Sequence, residues 1–329
     1  MAEAVHIIYC SDAGYMLPTL VSAASAVAHA KDHPIVIHLI ETGVADCAWE
    51  DFVSRLKSVR ADTKVVRHLW RDARFDKCPA WHGSRIIYAR LVTQDILSDE
   101  DWAISVDGDT LWLGDPWEML SLRDETKLYQ ISVDPPDPDC QVNPVFEWFS
   151  QRGLRMDPSQ YLCVGAMIMN LKKLRDDGFT ERALDFLEKY PDPKYPEQMV
   201  MCYLAQGHMS PLPTQWGVYS FYHNAVDVLR PCLVHYVQDG PWQRWKIVNL
   251  MSDIVLVWHD FARTVLGIDS STRIPLFSRI WRRSMFLILK TNQWLLGLNR
   301  RLAGYLRNTR GLSMEEMKTL HDRFVSFSR

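Results

Sequence analysis

Apolar and polar positions over the first hundred residues alternate between two periods. Val5 to Cys10 (VHIIYC) is a short apolar run of the kind a buried strand gives, and Leu17 to Ala30 follows as a helix of small and apolar residues. Ile35 to Glu41 reads as strand, Ala48 to Ser58 as helix, Thr63 to Arg67 as strand, Ser84 to Leu97 as helix and Trp102 to Val106 as strand. Strands alternating with helices predict an α/β fold on a mainly parallel sheet with both faces covered. Such sheets bind ligands beyond the carboxyl ends of their strands, which directs attention to the loops after Cys10 and Val106. Further on, the three prolines between Asp134 and Asp139 make a loop. Tyr161 to Asn170 resumes a strand-like run, Phe179 to Tyr190 and Glu197 to Ala205 read as helices, and Trp216 to His235 reads as irregular.

Composition allows a sizeable core. Of 329 residues, 47% are hydrophobic and 23% charged, which excludes a disordered, collagenous or coiled-coil chain. The net charge of −3 argues against a nucleic-acid binder. That average hides an asymmetry. Ser270 to Met314 holds nine Arg or Lys and no Asp or Glu, leaving 28 basic against 40 acidic residues elsewhere, a net of −12. The seven cysteines are scattered without a CxxC pair, as expected of free thiols in a reducing compartment. No basic n-region precedes Val5, and the longest apolar run of the tail, Met285 to Leu289, is far short of the ~20 residues a membrane span needs. These features predict a cytoplasmic protein, or one lying on the cytoplasmic face of a membrane.

Three Asp-x-Asp triplets occur: Asp99/Asp101, Asp107/Asp109 and Asp137/Asp139. Only the middle one follows a buried strand directly. Residues i and i+2 of an extended backbone point to one side, so both carboxylates can aim at one spot, with Gly108 leaving room for a bulky anionic ligand. Two adjacent carboxylates repel unless something positive lies between them, and a divalent cation with oxygen ligands suits that position. A helix cap and a surface turn would use the same residues.

Several other segments stand in order around this pair. The loop after the first strand reads Cys10-Ser11-Asp12-Ala13-Gly14-Tyr15, and Tyr88-Ala89-Arg90-Leu91 precedes the Asp-x-Asp strand. Cys163-Val164-Gly165, Glu197-Gln198, His235-Tyr236 and Gly240-Pro241-Trp242 follow it. This ordered set, from Val5 to Trp242, resembles glycosyltransferase family 8, the retaining sugar transferases that include lipopolysaccharide galactosyl- and glucosyltransferases and glycogenin. The resemblance implies a single GT-A (Rossmann-like) catalytic domain over 1–265 and a UDP-sugar donor held by Mn²⁺, with Mg²⁺ as its substitute. It implies a glycan or lipid-linked acceptor. By motif, Asp107, Asp109 and His235 would bind the metal, although a lone histidine is more often packed or on the surface. Asp12 would take the uracil edge and Tyr15 would stack on the ring, with Cys10, Gly108 and Gly165 along the donor site. Asp134 and Arg90 would hold sugar hydroxyls. Asp134, Glu197 and Gln198 would surround the reacting carbon.

Departures from the family pattern bear on function. Cys163-Val164-Gly165 stands where Asn-Ala-Gly is usual, so a sugar-contacting amide is missing. Glu197 replaces an Asp and lengthens the arm by one methylene. Gly14 stands where a polar ribose-contacting residue is common. Gly240 replaces a Lys that contacts the departing diphosphate; Arg244 or Lys246 would have to substitute. These changes motivate a second expectation, a catalytically weak nucleotide-sugar-binding or scaffold protein of the same fold. A nucleotidyltransferase would need a basic Gly-rich loop that Ser11 to Tyr15 does not supply.

The remaining 266–329 reads as a basic amphipathic helical tail. At about 100° per residue, Arg279, Arg282, Arg283 and Lys290 share one arc beside Trp281, Met285 and Leu289. Ser313 and Glu316 form a capping box for a last short helix. A basic stripe beside apolar residues suits an anionic membrane surface, met through residues 273–310. Packing on the catalytic domain or contact with another subunit would use the same pattern.

Overall fold

A computed structural model describes residues 2–132, 143–219, 230–237, 240–242 and 253–269. Asp134 and its proline-rich loop, Arg244, Lys246, the basic segment 273–310 and the Ser313/Glu316 box lie outside the described residues.

The expected alternation is present. The chain runs β1 (Val5–Asp12), α1 (Met16–His29), β2 (Ile35–Thr42), α2 (Asp46–Val59) and β3 (Lys64–Leu69). A 3₁₀ segment (Ile86–Val92) and one α turn (Thr93–Ile96, α3) lead into β4 (Trp102–Val106), and β5 (Thr110–Trp112) follows. Then come α4 (Pro116–Leu120), β6 (Tyr129–Ser132), α5 (Asn143–Gln151), β7 (Cys163–Asn170), α6 (Leu171–Asp176), α7 (Phe179–Lys189) and α8 (Pro196–Leu204). The described chain closes with β8 (Met209–Pro211), β9 (Trp216–Tyr219), β10 (Leu233–His235) and a helix over Asp253–Leu266.

The main sheet has seven strands in the order β3-β2-β1-β4-β7-β6-β8. β2 pairs parallel with β1 and β3, β1 is parallel to β4, β7 runs antiparallel to β4 and β6, and β8 is parallel to β6. A small second sheet, β5-β10-β9, stands beside it.

Strand alternation divides the core between the two faces of the main sheet. Ile7, Tyr9, Ile37, Leu39, Ile104 and Val106 join α1, α2 and the Asp253–Leu266 helix on one face. Ile8, Ile40, Ala103, Met167 and Met169 join the 3₁₀ segment and α6 to α8 on the other. Each fully buried aliphatic or aromatic side chain contributes about 1.5–3 kcal/mol. A core of this extent offsets the cost of the buried charges described below.

Two local expectations are corrected. Ser84 to Leu97 is not one α-helix: Ile86 to Val92 winds as a 3₁₀ segment, and all of these residues but Ile87 are buried. A segment buried on all sides shows no single apolar stripe, so periodicity does not report its winding. Trp216 to His235 is not irregular throughout, because its ends form β9 and β10. Each is only three or four residues long and depends on its partner strand.

Candidate active site

The β4 strand ends at Val106, and Asp107-Gly108-Asp109 turns the chain into β5. Asp107 N donates to Gly165 O at 2.9 Å, and Thr110 Oγ1 donates to Asp107 O at 2.9 Å. The two carboxylates are therefore brought together by a turn, not by the alternation of an extended strand. β10 lies antiparallel to β5 with His235 opposite Thr110, and Tyr236 N donates to Asp109 O at 2.8 Å. One register thus places the imidazole against both acids. His235 Nε2 is 3.2 Å from Asp109 Oδ1 and 3.5 Å from Asp107 Oδ2. One ligand atom from each of the three residues lies within 4.8 Å of the others.

Charge is concentrated here. Arg90, only 3% exposed, bridges Asp107 Oδ1 through Nη2 and Glu197 Oε1 through Nη1, the latter at 3.4 Å. Glu197 projects from the first turn of α8, where the helix dipole favours a carboxylate. Burial pushes its carboxyl up from the ordinary range against the opposing pull of Arg90. Burial alone would lower His235, yet the Asp109 carboxylate beside it holds the imidazole well above its usual value. Asp109 Oδ1 is buried and, apart from its 3.2 Å ion pair with His235 Nε2, has no partner of hydrogen-bond geometry among the described residues. Burial and the neighbouring Asp109 and Asp107 carboxylates also keep the Tyr15 phenol protonated. Cys10 lies at the carboxyl end of β1, where burial pushes its thiol up to about 12.

The other expected residues surround this cluster. Asp12 Oδ1 accepts from Gly14 N at 2.9 Å and Tyr15 N at 3.1 Å, capping the turn into α1. The Tyr15 ring meets Trp242 edge-on, with centroids 5.6 Å apart. Gln198 follows Glu197 in the first turn of α8. Arg90 faces Asp107 and Glu197; Asp134, expected with it to hold sugar hydroxyls, lies outside the described residues.

At Gly108 the structure differs from the expectation. A Cβ on Gly108 would come within 2.4 Å of Thr19 Oγ1, so its side-chain direction is closed by α1 and does not open onto ligand space. A Cβ on Gly165 would lie 2.2 Å from His235 Cε1, so the missing side chain lets the imidazole lie against β7. At Gly240 a Cβ would fall 2.3 Å from the Trp242 ring, which occupies that space.

A buried polar chain behind the site had no legible signal in the sequence. Trp112 Nε1 donates to Tyr9 Oη at 3.2 Å, Tyr9 meets Ser22 at 3.1 Å, and Ser22 meets Thr110 at 2.6 Å. Thr110 spends its proton on Asp107 O, so the hydroxyls all donate in one direction and fix the Asp107 turn from behind. These residues lie up to 103 positions apart. Cys163 and Tyr219 also touch His235 and were not singled out as its partners.

Comparison with known proteins bears on the fold and the family. The chain is 26% identical over 269 residues to a lipopolysaccharide 1,2-glucosyltransferase of Escherichia coli (strain K12), covering 75% of each chain. The fold is similar to that of the galactosyltransferase LgtC solved with donor and acceptor sugar analogs, with a TM-score of 0.66 and 18% identity, covering 84% of this chain and 99% of LgtC. It is also similar to the WbbM bifunctional glycosyltransferase, with a TM-score of 0.65 and 18% identity, covering 85% of this chain. This chain spans about half of that longer protein, 52% of its length. The architecture is therefore the mixed α/β GT-A fold of these enzymes. Residues 6–246 match glycosyl transferase family 8 as a continuous block, and the chain belongs to that family.

Proposed function

We propose that the chain is a retaining hexosyltransferase that moves glucose or galactose from a UDP-sugar to a hydroxyl of a glycan or lipid-linked acceptor. Asp107, Asp109 and His235 would hold Mn²⁺, or Mg²⁺ in its place. The observation that carries this reading is the convergence of those three side chains at the carboxyl end of β4, in a chain of a sugar-transferring family. Carboxylate oxygens with one imidazole suit such an ion, and the buried Asp109 Oδ1, which His235 Nε2 faces at 3.2 Å without hydrogen-bond geometry, is an atom a cation would satisfy. Bound there, the metal would act as a Lewis acid toward the departing diphosphate.

The chain's own residues position the donor. Asp12 would accept from the uracil N–H and Tyr15 would offer a ring face, with Cys10, Gly108 and Gly165 contributing along the donor path. Arg90 holds Asp107 and Glu197 in place and balances part of their charge. Glu197, together with Asp134, would orient sugar hydroxyls and support positive charge developing at the anomeric carbon. Gln198 lacks the carboxylate that a covalent glycosyl intermediate needs. The acceptor hydroxyl would therefore attack from the face the leaving group departs from, passing its proton to a diphosphate oxygen. Gly240 brings no charge to that diphosphate, so Arg244 or Lys246 would supply it.

Incubation with UDP-glucose or UDP-galactose and Mn²⁺ is expected to release UDP, with transfer products keeping the donor's anomeric configuration by NMR. Asp109→Ala should cut turnover by at least about a hundredfold; an unimpaired variant defeats the reading. The second reading, a donor-binding scaffold with weak transfer, draws support from Gly240 lying beneath Trp242. It requires thermal stabilisation by UDP-sugar without UDP release.

We further propose that 1–265 is the catalytic domain and that 266–329 attaches it to the cytoplasmic face of an anionic membrane through 273–310. No helix among the described residues is long and apolar enough to cross a membrane. Each basic residue near an anionic surface contributes on the order of 1 kcal/mol. Liposome flotation of the full chain should exceed that of a chain ending at Leu266, and equal flotation refutes the attachment.

A further inference from the structure

The imidazole of His235 has two ring nitrogens with different neighbours. Nε2 faces Asp107 and Asp109, whereas Nδ1 faces the Sγ of Cys163 at 4.0 Å, the outer reach of an N–H···S contact. Both residues are enclosed, His235 at 4% and Cys163 at 8% exposure. The ring is confined on its other sides as well. Gly165 lies against its Cε1 edge, and the Tyr219 ring is 5.5 Å away.

This geometry has a chemical consequence. An imidazole that gives its Nε2 lone pair to a cation carries its proton on Nδ1, and that N–H needs an acceptor when it is buried. Metal-bound histidines generally find that acceptor in a carboxylate, a carbonyl or water, and it fixes both ring orientation and tautomer. The neighbour that faces Nδ1 here is a thiol. The same Cys163 stands where the resemblance expected an amide contacting the donor sugar.

We propose that Cys163 is a positioning residue for the metal site, its sulfur accepting the Nδ1–H of His235 and keeping Nε2 aimed at the Asp107/Asp109 pair. This rests on the metal reading of that trio and goes beyond it. Cys163 acts through His235 and touches neither donor nor cation. The role asks for an acceptor atom at this place, so an oxygen should serve nearly as well and a methyl group should not.

The test is Mn²⁺ binding to the full chain without donor, measured by EPR of free Mn²⁺, for wild type, Cys163→Ala and Cys163→Ser. Cys163→Ala should weaken binding roughly tenfold, and Cys163→Ser should stay within about threefold of wild type. Wild-type affinity in Cys163→Ala overturns the proposal, even where donor KM changes, since that pattern belongs to a sugar contact. An equal loss in the Ser and Ala variants also overturns it, since that belongs to packing. Absence of Mn²⁺ uptake by the wild type defeats the metal reading and this proposal together. Should Cys163→Ala fail to fold, imidazole ¹⁵N spectra of the Mg²⁺-loaded wild type decide: a protonated Nδ1 on His235 supports the role, and an unprotonated one overturns it.

Discussion

Two chains of buried and half-buried titratable side chains cross this molecule on opposite electrical plans. On the β1–β2–β3 side, His6 Nδ1 lies 3.0 Å from His38 Nε2, and His38 Nδ1 lies 3.0 Å from His68 Nε2. His6 Nε2 meets Glu100 Oε2 at 3.2 Å. A carboxylate accepts, so Glu100 sets the polarity: each ring donates from Nε2 and accepts at Nδ1. Burial holds all three rings below the ordinary histidine range, His38 down to about 3. That ladder is neutral, and its ring contacts satisfy one another. At the end of β4, by contrast, Asp107 and Glu197 share the guanidinium of Arg90, and Asp109 draws His235 toward the charged state. Three neutral rings that satisfy one another in a row carry no charge that asks for a counter-ion. A cluster with more negative than positive charge would gain from a cation, which is the basis of the proposed metal site.

Breaking the charged side should have the largest effect. Arg90→Met leaves the half-buried Asp107 and Glu197 carboxylates without their counter-charge, and urea unfolding should show a loss of about 2–4 kcal/mol with transfer abolished. Gly165→Ala forces a methyl group into the His235 ring. It should cost about 1–3 kcal/mol and weaken Mn²⁺ binding, read by thermal melts and by titration.

The neutral side responds to acid. Folded His38 resists protonation, so the unfolded chain binds the proton first once the pH falls below the ordinary value of 6.5. Stability is therefore full above pH about 6.5, is about 2 kcal/mol lower by pH 5 from this group alone, and keeps falling toward pH 3. His38→Gln should flatten that slope without altering Mn²⁺ affinity at neutral pH. A slope unchanged in the variant would remove the ladder's part in the contrast. The smallest effect is expected at the edge of the charged cluster, where Asp12→Ala loses a cap worth about 1 kcal/mol and weakens UDP binding.

The neutral half was the more legible in the sequence. β1 to β4 with α1 and α2 emerged from apolar periodicity because each is long enough to show it. Asp107 and Asp109 stood out because they follow a buried strand, although a turn and not an extended backbone aligns them. His235 could be named only through the family resemblance, since its meeting with Asp109 depends on the β5–β10 register, and β5 and β10 have three residues each. The Arg90–Glu197 ion pair joins residues 107 positions apart, a distance over which no local pattern carries information. The 3₁₀ winding around Arg90 was hidden because its residues are buried on nearly every side. Gly108 was misread for a related reason: what a glycine accommodates is decided by a neighbour such as Thr19, which sequence spacing does not reveal.

The central claim is that Asp107, Asp109 and His235 together hold one divalent cation. Equilibrium Mn²⁺ binding to the full chain, with and without UDP, tests it most directly when repeated on Asp109→Asn and His235→Gln. The account predicts one site per wild-type chain, tightened by UDP and lost or weakened more than about tenfold in either variant. Undiminished binding in both variants would contradict it.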